Sequence, residues 1–266
     1  MAEGLKPTVG VLVTDGTNCE MEMAHALTRA GANPKIVHIN DLKSGDEKMA
    51  KYQGWALPGG FSYGDDIASG KVQAIEMYTQ LGDQISDYVE NGRGPVFGVC
   101  NGFQVLVRTG LIPFDSLGQM QATLRHNKSG KFECRPVQLL PDKESMCVIM
   151  KTMKSNQPVS LMVANGEGNF YSTPDVLDKM EANGQIFYRY MDSSGNPTME
   201  YPYNPSGSSR AIAGACDTTG RVFGMMPHFE RFTEPFQQTN NRRLAVPVNH
   251  GLQIAQAVVD YMVNAA

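Results

Sequence analysis

The chain has 266 residues and a formal net charge of −4, with 41% hydrophobic and 19% charged residues. That length holds one large α/β domain or two small ones, the apolar content excludes a disordered chain, and no basic stripe stands out for nucleic acid. No apolar run is long enough to cross a membrane, Met1 to Thr8 lacks the apolar core of a signal peptide, and five cysteines without regular spacing make neither a disulfide framework nor a Cys-x-x-Cys zinc site, so a reducing, cytoplasmic setting is expected.

Val9 to Thr14 is an apolar run rich in β-branched residues that ends at the turn pair Asp15-Gly16, and it predicts a strand. Glu20 to Ala30 carries Met21, Ala24, Ala26, Leu27 and Ala30 at helical spacing, closed by Gly31. Ile36 to Ile39 and Trp55 to Leu57 read as further strands. A helix is predicted over Ala68 to Val89, with Val72, Ile75, Leu81, Ile85 and Val89 on one side and Gly92 just beyond its end. Pro95-Val96-Phe97-Gly98-Val99 then reads as a short buried strand. Asn101-Gly102-Phe103-Gln104-Val105-Leu106-Val107 has helical spacing.

Beyond Pro113 the pattern changes. Strands are predicted over Phe132 to Leu140, Cys147 to Met153, Val159 to Ala164 and Gln185 to Met191, with a helix from Pro174 to Ala182. Ala211 to Cys216 and Arg221 to Met226 flank Thr218-Thr219-Gly220 and read as a hairpin. Ser193 to Arg210, rich in Gly, Pro, Ser and Asn, reads as a loop, and Pro247 to Val263 as a closing amphipathic helix. Strands alternating with helices imply a three-layer α/β fold, a mostly parallel sheet flanked by helices with an antiparallel extension in the second half. Nothing forces a second domain, so residues 1–266 are read as one.

Cys100 sits where the elbow strand meets its helix, with Gly98 and Gly102 two residues to either side. This Gly-x-nucleophile-x-Gly spacing makes a sharp turn that pushes one side chain out of the sheet, and the start of a helix favours a thiolate. A thiolate nucleophile needs a base, and the base needs an orienting group. Of five histidines, His25, His38 and His250 fall in structural positions, and His126 lies in a polar stretch where it can meet a ligand. His228 follows the apolar run Val222 to Met226, with Glu230 two residues on. Residues two apart on extended chain face the same way, so Cys100, His228 and Glu230 are the candidate triad. The backbone N–H of Asn101 is one candidate oxyanion donor. Leu57-Pro58-Gly59-Gly60-Phe61 offers a second, although an ordinary strand-end turn reads the same way. Asp65 and Asp66 can bind a metal or simply be solvated, and Asn165-Gly166-Glu167-Gly168-Asn169 reads as a functional loop or as a turn.

The segments Leu57 to Asp65, Gly98 to Gln104 and Met226-Pro227-His228-Phe229-Glu230-Arg231 resemble the class I, triad-type glutamine amidotransferases. Gly59-Gly60-Phe61-Ser62-Tyr63-Gly64-Asp65, Asn127 to Arg135, Tyr201 to Ser208 and Ile212-Ala213-Gly214 are similar to one branch of that family, the glutaminase subunits of phosphoribosylformylglycinamidine synthase. The resemblance covers nearly the whole chain and implies a flavodoxin-like fold. It implies that Cys100 attacks the glutamine amide, that His228, held by Glu230, moves the protons, and that Gly60 and Asn101 form the oxyanion hole. Gln104, Asn127, Ser129 and Phe132 are implied to hold the glutamine. The implied partners are glutamine, a large synthetase subunit that carries the ATP and magnesium, and a small bridging subunit. No cofactor or metal is implied for this chain itself, and no nucleic acid or membrane partner. Asn165 and Asn169 depart from the family pattern, which has a histidine and a basic residue there. Phe229 stands where proline is usual between the triad His and Glu.

Overall fold

The computed structural model describes residues 6–237 and 249–265. The first half alternates β1 (Thr8–Val13), α1 (Glu20–Arg29), β2 (Asn33–His38), α2 (Ile39–Ser44), β3 (Gly54–Leu57), α3 (Lys71–Gln80), α4 (Gly82–Glu90), β4 (Val96–Val99) and α5 (Asn101–Arg108). The second half holds β5 (Ala122–Arg125), β6 (Glu133–Pro141), α6 (Val148–Thr152), β7 (Val159–Asn165), β8 (Asn169–Ser172), α7 (Pro174–Ala182), β9 (Ile186–Tyr190), β10 (Ile212–Cys216), β11 (Val222–Met225) and α8 (His250–Ala265).

One nine-stranded sheet runs in the order β2-β1-β3-β4-β11-β10-β9-β6-β7. From β2 to β11 every pairing is parallel, with β11 laid beside β4 so that Gly224 faces Gly98. From β11 to β7 every pairing is antiparallel. The central strands β3, β4 and β11 are buried along their whole length, as expected of strands covered on both faces. Their carboxyl ends lie side by side, so the segments that follow Leu57, Val99 and Met225 leave the sheet at the same edge. In parallel α/β sheets that edge is where functional groups collect. No helix among the described residues is long and apolar enough to cross a membrane.

Most predicted elements are present, and two are corrected. The helix predicted over Ala68 to Val89 is two helices. It starts only after Gly70, which has φ +73°, and it breaks at Leu81, which ends α3 and precedes α4 with φ −120°. Gly82 follows the break and is a poor helix former, and both helices turn apolar residues to one core, so the periodicity carries across the gap. Cys147 to Met153, predicted as a strand, is the short helix α6. A brief apolar run fits a buried strand or a buried helical turn equally. Here Val148, Ile149 and Met150 are buried, and Thr152 donates its hydroxyl to the Ala257 carbonyl of α8 at 2.7 Å. The two-stranded sheet of β5 and β8, and helix α2, are additions. The predicted starting point of the last helix, Pro247, and residues 1–5 of the N-terminal reading lie outside the described residues.

Candidate active site

The elbow is built by close approach of backbone. A Cβ on Gly102 would lie 1.9 Å from the Leu57 carbonyl oxygen, and one on Gly98 would lie 2.4 Å from the Gly102 carbonyl group. Helix α5 therefore sits directly on β3 and β4, and Cys100 must turn within a single residue. It does so at φ 52° and ψ −107°, a conformation that costs a non-glycine residue about 1–3 kcal/mol and persists only where the surroundings impose it. Gly102→Ala forces the helix off the strand. It is expected to cost about 3 kcal/mol or more and to lower the melting temperature by roughly 5–10 °C. An unchanged thermal melt would contradict the close packing.

His228 leaves the end of β11 and donates its backbone N–H to the Met162 carbonyl at 2.8 Å, which anchors it against β7. Its Nδ1 lies 2.5 Å from Glu230 Oε1, and the two side chains are 1% and 0% exposed. Burial pulls the His228 pKa down, but the Glu230 carboxylate and the Cys100 side chain outweigh it and push the value up to about 10. The His228 ring is thus held between the Glu230 carboxyl and the Cys100 side chain. Its Nε2 is buried and has no conventional hydrogen-bond partner among the described residues. The Cys100 thiol, 6% exposed, lies 3.7 Å from the Ala164 carbonyl at the end of β7.

Asn101 is the first residue of α5, so its amide has no intrahelical acceptor. Gly60 has φ +140°, and a Cβ there would lie 2.7 Å from the Asn18 nitrogen, so only glycine fits. Side chains behind the elbow form a continuous polar chain. Asn101 accepts from the Ser62 amide at 3.2 Å and donates to Asp65 and to Gln104 Oε1, both at 3.1 Å. Gln104 Nε2 donates to the Glu167 carbonyl at 2.7 Å. Asp65 also accepts from the Ser69 hydroxyl at 2.8 Å, and burial raises its pKa. These bonds fasten a strained loop in which Tyr63, Asp65 and Ile67 all have positive φ. Asp65 is thus a loop brace, whereas Asp66 is exposed.

The sequence reading missed one pair here. Arg108 Nη2 meets Glu167 Oε2 at 3.1 Å, and Arg108 also donates to the carbonyls of Ser69 and Leu124. The side chains are 10% and 12% exposed, so neither charge is well hydrated. The signal in the sequence was Arg108 four residues after Gln104, on the same face of an otherwise apolar helix. Glu167→Gln leaves the Arg108 charge uncompensated. It is expected to lower the kcat/KM for glutamine by about 10- to 100-fold through misplacement of Gln104 and its loop. Steady-state kinetics with unchanged values would contradict that role.

The remaining predicted residues fall nearby in different ways. Asn127 is 4% exposed, and its amide is fully engaged: Nδ2 donates to the carbonyls of Asn165 and Lys131, and Oδ1 accepts from the Gly168 amide. It shapes the Gly166 to Gly168 loop. Ser129 is half-buried, and Phe132 is 51% exposed, within contact range of Gly166. His126 is exposed, His25 lies on the outer face of α1, His38 caps α2, and His250 accepts from the Ser160 amide. Asn165 and Asn169 are both buried, the latter paired with Arg125 between β8 and β5. The Phe229 ring, which stands where the family has proline, is 1% exposed and packs on Phe97 with centroids 6.4 Å apart.

Comparison with known proteins agrees with this geometry. Residues 6–262 match the family model for the CobB/CobQ-like glutamine amidotransferase domain. The chain belongs to this family and is an enzyme that uses glutamine as its amide-nitrogen donor. Within the family it groups with proteins called phosphoribosylformylglycinamidine synthase subunit PurQ. It is 40% identical to the one from Methanococcus maripaludis, over 96% of this chain and 97% of that protein. It is 40% identical to the one from Dehalococcoides mccartyi, over 85% of this chain and 86% of that protein. Among solved structures, the PurLQS structure from Thermotoga maritima includes a chain that is 29% identical, with a TM-score of 0.73 over 97% of this chain and 99% of that one.

Proposed function

We propose that this chain is the glutaminase subunit of phosphoribosylformylglycinamidine synthase, with residues 1–266 acting as one amidotransferase domain in the cytoplasm. The observation that carries the reading is the buried His228–Glu230 pair beside a cysteine on a strained strand-to-helix turn.

The Cys100 thiolate attacks the side-chain carbonyl carbon of glutamine. The negative charge on the tetrahedral oxygen is met by the amides of Gly60 and Asn101, which need no reorganisation because backbone packing fixes both. His228, charged and oriented by Glu230, gives its Nε2 proton to the departing nitrogen, and ammonia leaves. A γ-glutamyl thioester remains on Cys100. Neutral His228 then takes a proton from water, hydroxide adds to the thioester, and glutamate departs with the Cys100 thiolate restored. Gln104, Ser129 and Phe132 hold the substrate, and Asn127 acts by shaping the loop beside them.

Ammonia passes to a large synthetase subunit, which supplies ATP and magnesium and forms formylglycinamidine ribonucleotide, with a small bridging subunit completing the assembly. The names of the relatives and the likeness to a chain of the Thermotoga maritima PurLQS structure support these partners. The test combines the chain with the synthetase of its own organism, ATP and formylglycinamide ribonucleotide. Glutamine is expected to support product formation with glutamate released in equal amount. If only ammonia supports it, the reading fails.

A further inference from the structure

Cys19 takes no part in the chemistry above, yet it is buried against it. It is 1% exposed and precedes α1, and its amide donates to the Gly59 carbonyl at 3.2 Å. A Cβ built on Gly59 would lie 3.2 Å from Cys19 Sγ, 2.9 Å from His228 Cε1 and 3.5 Å from His228 Nδ1. The thiol and the Nδ1 edge of the imidazole therefore converge over one glycine. Cys19 Sγ, a ring nitrogen of His228 and a carboxylate oxygen of Glu230 all lie within 4.8 Å of one another. Glu230 has a second oxygen, Oε2, that is buried and has no hydrogen-bond partner among the described residues.

We propose that Cys19, His228 and Glu230 form a binding site for a thiophilic divalent cation, zinc by preference, which switches the glutaminase off. Thiolate, imidazole and carboxylate are the donor set that zinc takes at about 2.0–2.3 Å, with a fourth position left for water. Bonds form from the ion to Sγ, to Nδ1 and to a Glu230 oxygen. The thiol proton and the Nδ1 proton leave to solvent, and nothing is oxidised or reduced. Burial, with Glu230 adding to it, pushes the free Cys19 thiol up to about 11, so without an ion it stays protonated and unreactive. A coordinated thiol loses that proton outright. Arg231, whose Nη2 donates to Sγ at 2.9 Å, offsets part of the negative charge that results. Occupancy draws Nδ1 and Glu230 onto the ion, so His228 loses the carboxylate that charges and orients it. The ion acts as an inhibitor, and the proposal rests on the triad reading only for this consequence.

The probe is cobalt(II), whose thiolate charge-transfer band reports a sulfur ligand, with zinc as competitor. Wild type and Cys100→Ala are both expected to show the band and to lose it when zinc is added. Cys19→Ser is expected to lack the band and to bind zinc about 100-fold more weakly or worse, since even outer partners of a metal site change affinity by 10- to 100-fold. A thermal melt checks that each variant is folded. Zinc should slow alkylation of Cys100 by a glutamine-analogue electrophile in wild type, and the with-to-without-zinc rate ratio should return towards one in Cys19→Ser. Loss of the band in folded Cys100→Ala would place the ion on the nucleophile and overturn the site. Undiminished zinc affinity in Cys19→Ser would do the same, and neither result would touch the glutaminase reading.

Discussion

Cys100→Ala is expected to remove glutamine-dependent synthesis by roughly ten-thousandfold or more, because the other thiol beside His228, Cys19, is kept protonated by burial and does not take over the thioester. Ammonia-dependent synthesis by the assembled complex should be unchanged. The second half of that statement follows from the packing. Alanine occupies the same strained backbone as cysteine, and the turn is imposed by the approach of Gly98 and Gly102 to their neighbours rather than by the sulfur. The elbow should survive, and with it the surface offered to a partner. Parallel assays with glutamine and with ammonium chloride check both halves. Glutamine-dependent product at more than a trace would mean that another group is the nucleophile.

Glu230→Gln should lower the glutaminase kcat by about a thousand- to ten-thousandfold, the scale seen when the orienting acid of a catalytic triad is made neutral. Two effects combine. The substitution removes the charge that, with Cys100, outweighs the burial of the His228 imidazolium. It also replaces an acceptor-only carboxylate with an amide whose N–H₂ can face Nδ1 and invert the tautomer. The pair is too buried for water to take over either task. Burst kinetics on the complex measure the acylation step directly. A loss of less than tenfold would show that the Met162 backbone anchor suffices to position His228.

The parts of the site that were legible in the sequence are those set by short-range geometry. The Gly98-x-Cys100-x-Gly102 spacing is readable because a Cβ on Gly98 would strike the Gly102 carbonyl within one turn of chain, although Gly102 itself is demanded by the Leu57 carbonyl of a distant strand, and the His228-x-Glu230 pair is readable because residues two apart on extended chain face the same way. The parallel half of the sheet followed from alternating strands and helices. What escaped was decided elsewhere in the chain. Arg108 finds Glu167 across 59 residues, and Arg231 finds Cys19 across 212, and no local pattern encodes either meeting. The residues Cys147 to Met153 became a helix because α8 offers a carbonyl and an apolar face, which a seven-residue apolar run cannot announce. The resemblance implies that Asn127 holds glutamine, whereas its buried amide is consumed by backbone groups of residues 131, 165 and 168, a role that composition alone does not distinguish from ligand binding.

The resting arrangement also separates the two buried thiols near His228. Cys100 stands on a strained turn beside the imidazolium, whereas burial keeps Cys19 protonated. Peptide mass spectrometry after exposure of the assembled complex to a glutamine-analogue electrophile therefore tests the central claim most directly. The expected result is a single adduct on the Cys100 peptide, lost in the presence of excess glutamine, with the Cys19 peptide unmodified. An adduct on Cys19, or none on Cys100, would contradict the assignment of Cys100 as the nucleophile.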